Sequence, residues 1–146
     1  MNLTTEDQDR LIAAARKAAE NAYAPYSNYP VGAAVLTENK TIFCGCNVEN
    51  ASYGLTICAE RTAIFQARCS GHKKWIGLAI YAPSPPAPLP CGACRQVIAE
   101  GGNKPKIIVV DYEGTIQTFD FEQLFPHPFE ELEQKKRKRS NFGEAQ

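Results

Sequence analysis

The chain has 146 residues, 44% hydrophobic and 22% charged, with zero formal net charge; this suits one globular domain with its own core and excludes a disordered or fibrous chain. No apolar run approaches the roughly 20 residues that span a bilayer, and Met1 to Asp7 carry no secretory signal, so the cytoplasm is expected and a membrane partner is not. Lys135, Lys136, Arg137, Lys138 and Arg139 hold five of the 16 basic residues, leaving a net acidic body that repels polyanions and argues against nucleic acid as a partner.

In chain order, residues 5 to about 23 read as a helix. Leu11, Ile12, Ala15, Ala18, Ala19 and Ala22 recur at helical spacing, and Thr5 with Gln8 suits a capping box. Pro25 and Pro30, with Ser27 and Asn28 between them, end the helix and form a loop. Residues 31–36 and 41–46 read as strands joined by a hairpin connection at 37–40. Residues 59–69 suit a second helix and 76–82 a buried strand. A proline-rich loop at 83–90 leads into a third helix over 91–100, closed by Gly101 and Gly102. Residues 106–111 and 115–119 read as strands around a turn at Glu113 and Gly114, and a short helix follows near 121–125. The alternation predicts a layered α/β or α+β domain around one sheet, spanning residues 1–130. A polar, basic tail occupies 131–146, and its run at 135–139 fits either a solvated tail or a nuclear-entry signal.

Six cysteines in a chain expected to meet a reducing compartment are thiols, and their uneven spacing favours metal binding or catalysis over a disulfide framework. Cys91 and Cys94 lie three apart just after Pro90. At the first turn of a helix they share one face, where unpaired N–H groups favour thiolates. Cys58 and Glu60, two apart, serve one pocket only if a helix starts at or near Cys58. Three thiolates around Zn²⁺ leave one tetrahedral position open, as catalytic zinc requires. They also leave the complex with a charge of about −1, which weakens its Lewis acidity. Arg61, three residues after Cys58, is placed to donate to the sulphurs and draw that charge off, and Arg95 is a weaker candidate for the same task. Cys44, Cys46 and Cys69 stand outside the pattern and read as small buried thiols. His72 and His127 read as surface or loop residues.

A lone C-x-x-C reads more often as a structural zinc site or a redox pair than as a catalytic centre. A C-x-E motif followed by P-C-x-x-C is more specific and is a known zinc deaminase signature, here with Cys58 where a His commonly stands. Four ordered blocks extend the likeness: Ala24 to Ala34, Gly45 to Tyr53, Cys58 to Ala63 and Pro90 to Gln96. On these the chain resembles the cytidine deaminase family, in its short, homotetrameric, three-cysteine type, over roughly residues 8 to 130. The resemblance implies a three-layer α/β/α fold with a central mixed five-stranded sheet. It implies hydrolysis of cytidine and 2′-deoxycytidine to uridine and 2′-deoxyuridine with release of ammonia, as in pyrimidine salvage. One Zn²⁺ per subunit on Cys58, Cys91 and Cys94 and a proton-carrying Glu60 are implied with it. Asn47 and Glu49 then bind the ribose hydroxyls, the backbone N–H of Ala59 meets the pyrimidine carbonyl, and the carbonyl of Leu89 meets the departing amino group. Tyr29 stands where the family usually has a Phe against the pyrimidine ring. The family's C-terminal pattern appears as Leu124-Phe125-Pro126-His127-Pro128-Phe129, which places Phe129 in a neighbouring subunit's site.

Two other readings stay open on the residues alone. One is a deaminase of nucleic-acid bases, against which the acidic body and the Asn47–Glu49 pair argue. The other is a structural zinc module, which needs a fourth protein ligand such as Cys44 or Cys46 and has no use for Glu60.

Overall fold

The structure is a computed structural model and describes residues 2–129. The basic run at 135–139, and the tail expected from residue 131 onward, lie outside the described residues. Helix α1 (Thr5–Ala19) is followed by strands β1 (Gly32–Thr37) and β2 (Ile42–Cys46), then α2 (Ala59–Cys69) and β3 (Trp75–Tyr81). Helix α3 (Gly92–Ala99), β4 (Lys106–Val110), β5 (Ile116–Asp120) and the short α4 (Phe121–Leu124) complete the order. The five strands form one mixed sheet in the order β2-β1-β3-β4-β5, parallel only between β3 and β4.

Alternation along the strands builds two cores, because successive side chains point to opposite faces. Ala34, Leu36, Ile108 and Val110 pack with Leu11, Ile12 and Ala15 of α1 on one face. Ala33, Val35, Ile107 and Val109 pack with Ala63, Ile64 and Ala67 of α2 and Ile98 of α3 on the other. The result is the three-layer α/β/α arrangement with a five-stranded mixed sheet.

Two local details depart from the sequence expectation. Helix α1 is capped by Thr4 and Asp7, not Thr5 and Gln8: Asp7 N–H donates to Thr4 Oγ1 at 3.1 Å and Thr4 N–H returns to Asp7 Oδ2 at 3.1 Å. Asp7 has a further partner that Gln8 could not hold as an ion pair, Lys40 Nζ at 2.5 Å. The helix also ends at Ala19 rather than near residue 23, because Tyr23 is drawn out to pair with the segment after β2. Tyr23 N–H donates to the Asn47 carbonyl at 3.0 Å, and Glu49 N–H donates to the Tyr23 carbonyl at 2.8 Å.

The sheet topology gathers the loops that matter. Strands β2 and β3 are both antiparallel to β1, so both leave the sheet at the edge where β1 begins. Gly32 at the start of β1 pairs with Cys46 and with Tyr81, the last residues of β2 and β3. The loop 26–31, the segment 47–58 into α2 and the loop 82–91 into α3 therefore meet at one edge.

Close packing then fixes α2 on β2. A Cβ on Gly45 would lie 2.3 Å from the backbone N of Ala63 and 2.6 Å from the carbonyl of Ala59. Only a residue with no side chain lets the helix sit that near the strand.

Candidate functional site

Helix α2 begins where the C-x-E spacing requires. Cys58 is its N-cap, with extended backbone at φ −70° and ψ 153°, and Ala59, Glu60 and Arg61 form its first turn. Cys91 is likewise the N-cap of α3, and its sulphur accepts the N–H of Cys94 at 3.4 Å. The third helix thus starts one residue later than the spacing suggests. Two helix N-termini, each with unpaired N–H groups and the positive end of its dipole, converge on one point.

At that point the sulphurs of Cys58, Cys91 and Cys94 all lie within 4.8 Å of one another. Cys58 and Cys91 are 3.9 Å apart. Tetrahedral zinc with Zn–S bonds of about 2.3 Å places two sulphurs about 3.8 Å apart, so the spacing and the soft donors both suit this ion. Among the described residues these three make up the cluster, with no fourth His, Cys, Asp or Glu in it. Cys44, a candidate closing ligand under the structural-zinc reading, is exposed on the edge strand β2.

Arg61 donates through Nη2 to Cys58 Sγ at 3.5 Å, and its Nε is buried without a hydrogen-bond partner. The hydrogen bond from Cys94, with those from Arg61 and Cys91, pulls the Cys58 thiol down to about 5 against its desolvation. Cys94 shares that proton and shifts upward. The Arg61 guanidinium, held more firmly protonated by the sulphurs of Cys58 and Cys94, is the cation beside the cluster. Arg95, by contrast, does not reach sulphur. It donates through Nε to the Pro90 carbonyl at 2.8 Å and through Nη1 to the Leu124 carbonyl at 2.6 Å, tying the loop before Cys91 to α4.

Glu60 is 5% exposed, and its carboxyl interacts with Cys58 and Cys94. Burial pushes its carboxyl up to about 7; the Cys58 thiolate adds to the push, while its own backbone N–H and Arg61 oppose it. A dication held on the sulphurs would act in the opposing sense.

A cavity of about 280 Å³ opens onto this cluster, lined by Cys58, Ala59, Glu60 and Cys91 together with Ser27, Asn47 and Glu49. Tyr29, Pro88 and Leu89 form its walls. Asn47 is buried and already half committed: its Oδ1 accepts from Val31 N–H at 2.8 Å and its Nδ2 donates to the Tyr29 carbonyl at 2.9 Å. One N–H and further acceptor capacity remain. Glu49 Oε1 accepts from the N–H groups of Tyr26 at 2.9 Å and Ser27 at 3.1 Å. The Ser27 side chain and these backbone donors hold the Glu49 carboxyl below the usual carboxylate range. Tyr29 has the hydroxyl partner that a covered Tyr needs, the Pro86 carbonyl. Burial, and the nearby Glu60, push its phenol upward. As the first residue of α2, Ala59 has an N–H with no intrahelical acceptor.

Phe129 is not in this cavity. Its residue is 73% exposed, and its backbone is clipped to α3 by a reciprocal pair with the Gln96 amide at 2.9 and 3.1 Å. The three thiols outside the cluster correct the sequence expectation of burial: Cys44 and Cys69 are exposed and Cys46 is half-buried. Cys44 and Cys46 lie on an edge strand, and Cys69 is the last residue of α2, so neither core encloses them. Of the two histidines, His72 is half-buried against Phe43, the rings tilted by 54° with centroids 5.0 Å apart, and His127 is exposed in the loop after α4. The sequence reading had no place for Gly45, whose role depends on the helix that crosses it, nor for the second use of Asn47 as a loop anchor.

Similarity to known proteins follows the same residues. The family described as the cytidine and deoxycytidylate deaminase zinc-binding region matches residues 5–110. The chain is 46% identical over 125 residues to a cytidine deaminase of Sporosarcina psychrophila, covering 84% of this chain and 91% of that one. It is 44% identical over 124 residues to a cytidine deaminase of Halalkalibacterium halodurans, covering 84% and 94%. Among solved structures, the cytidine deaminase of Burkholderia pseudomallei is similar at a TM-score of 0.78 and 43% identity, over 83% of this chain and 98% of that one. That of Mycobacterium tuberculosis follows at 0.73 and 36%, over 85% and 98%. With the match spanning both cysteine motifs and the whole sheet as far as β4, the chain belongs to the cytidine and deoxycytidylate deaminase family.

Proposed function

We propose that this chain catalyses the zinc-dependent hydrolytic deamination of cytidine and 2′-deoxycytidine to uridine and 2′-deoxyuridine, releasing ammonia, in the service of pyrimidine salvage. One observation carries the reading: three sulphurs within 4.8 Å, without a fourth ligand in their cluster among the described residues, border a cavity that a buried carboxyl also lines. Cys58, Cys91 and Cys94 hold the ion. When bound, zinc supplies the Lewis acidity that makes water a nucleophile at neutral pH.

Glu60 takes the proton that the attacking water sheds and passes it to ring N3 as the water oxygen bonds to C4. It then carries the second proton to the exocyclic amino group, and the C4–N bond breaks to release ammonia. A carboxyl that must act as base and then as acid works best with a pKa near the operating pH. Burial lifts Glu60 toward that range. The backbone N–H of Ala59 donates to O2 of the ring, and the Leu89 carbonyl accepts from the leaving amino group. Asn47 and Glu49 grip the sugar hydroxyls, and Tyr29 walls the ring. Arg61 donates to Cys58 and draws negative charge off the sulphurs.

Phe129 completes the site of a neighbouring subunit in a homotetramer; its exposed ring and its absence from its own cavity support this. Mixing two inactive variants tests it, because Glu60→Gln chains supply Phe129 to intact sites of Phe129→Ala chains. Recovered activity supports a shared site, and none argues against it. Among the described residues no helix is long and apolar enough to cross a membrane. The reading also takes the cytoplasm as the chain's location, with the run at 135–139 a solvated tail or a nuclear-entry signal.

Loss of the cytosine absorption band on mixing the zinc-loaded protein with cytidine, with ammonia released in equal amount, is the test. Glu60→Gln should keep its zinc and lose at least about 100-fold in turnover. Full activity in that variant would remove Glu60 from the mechanism.

A further inference from the structure

The wall of the cavity formed by Pro88 and Leu89 is strung between two held points. On one side the Tyr29 hydroxyl donates to the Pro86 carbonyl. On the other, Arg95 Nε donates to the Pro90 carbonyl at 2.8 Å. Between them Leu89 N–H folds back onto the Ala87 carbonyl at 2.9 Å, and prolines at 86, 88 and 90 restrict the backbone further. A short, stiff segment pinned at both ends holds its side chains at a set distance from the opposite wall.

Which part of a ligand meets that wall follows from the pose of the function proposed above, on which it rests. With C4 at the sulphurs, N3 at Glu60, O2 at the N–H of Ala59 and the sugar at Asn47 and Glu49, the ring edge left over is C5–C6. C5 neighbours C4 on the side away from N3, and in the proposed pose the Leu89 carbonyl accepts from the amino group on C4, which puts the Pro88–Leu89 wall beside that edge. Pro88 and Leu89 therefore face C5.

We infer that the Tyr29 hydroxyl, through its bond to Pro86, sets which substituents at C5 of the pyrimidine the cavity admits. A Phe at this position keeps the ring wall and loses the tie. Tyr29 is then a specificity-determining residue: with the tie, the Pro88–Leu89 wall stays close and a C5 methyl group is disfavoured. Without it, the segment yields at its Pro86 end and accommodates the methyl.

The experiment compares kcat/KM for 5-methylcytidine and cytidine in the zinc-loaded full chain, in Tyr29→Phe and in Leu89→Ala. Tyr29→Phe should raise the ratio of 5-methylcytidine to cytidine by about five-fold, the scale of one lost neutral hydrogen bond. Leu89→Ala, which makes space at the same edge without touching the tie, should raise it as well. A ratio that moves in Leu89→Ala and not in Tyr29→Phe would show that the hydroxyl is not the determinant. A ratio that moves in neither would show that C5 faces another wall. Either result overturns the inference while cytidine turnover stands, whereas a parent chain that turns over no cytidine overturns the proposed function and this inference with it.

Discussion

Gly45→Ala is the substitution whose effect on the site can be worked from distances. The new methyl group would stand 2.3 Å from Ala63 N, 2.6 Å from the Ala59 carbonyl and 2.9 Å from the Thr62 carbonyl carbon. All three atoms are backbone, so no side-chain rotation relieves the clash. Ordinary contact begins near 3.4 Å, so α2 must move away from β2 by about 1 Å or the strand must bend by as much. Overpacking of this kind costs about 1–3 kcal/mol. Because the atoms struck lie in the first turn and a half of α2, the movement reaches Cys58 and Glu60 directly. A displacement of about 1 Å at reacting groups costs about 100-fold in rate. The assays are urea denaturation and kcat on cytidine for zinc-loaded protein, with zinc content measured alongside. A variant that unfolds 1–3 kcal/mol more easily at about these margins, retains zinc and loses about 100-fold in kcat fits the reasoning. Unchanged stability and unchanged kcat would refute it, since the close approach of helix and strand would then not hold the site in place.

Asn47→Ala strips the buried Val31 N–H and the Tyr29 carbonyl of their partners, so it should cost about 2–4 kcal/mol of stability as well as raising KM; a raised KM with an unaltered urea midpoint would mean the side chain serves the ligand alone. Arg61→Gln removes the cation that helps hold Cys58 near 5, so thiolate absorbance of the metal-free protein against pH should shift to higher pH; an unmoved curve would show that Arg61 does not stabilise the thiolate. Asp7 is held at about 2 rather than 3.8, chiefly by Lys40, so its stabilisation is complete above the unfolded value and drains away as pH falls toward 2. The stability gap between the parent and Asp7→Asn should accordingly be largest near neutral pH and narrow in acid, and a gap of constant size across that range would contradict the ion pair's role.

The parts of the molecule legible in its sequence are those written locally. Residues 31–36 and the β-branched run of β4 are short apolar stretches bounded by turn residues, which their length marks as buried strands, and the Cys91–Cys94 spacing after Pro90 sets two sulphurs at one helix start. The demand that Cys58 and Glu60 serve one pocket required a helix beginning at Cys58, which is where α2 starts. What escaped was written at a distance. Residues 20–23 carry a helical pattern, yet Tyr23 pairs with residues 47–49, and no local signal announces that partner. Burial of Cys44 and Cys46 depended on β2 being interior, and the order of strands, which puts it at the edge, is a property of the whole sheet. Arg95 sits beside Cys94 in the chain, but its guanidinium is taken up by the carbonyls of Pro90 and Leu124, the second of them 29 residues away.

Everything proposed for the reaction depends on the three sulphurs being the whole of the protein's contribution to the ion. X-ray absorption at the zinc edge of the loaded full chain reads this directly. Three sulphur scatterers and one light scatterer without the imidazole signature should appear, in the Glu60→Gln variant as in the parent. Four sulphurs, or three with a histidine, would leave no place for water and would make the centre structural.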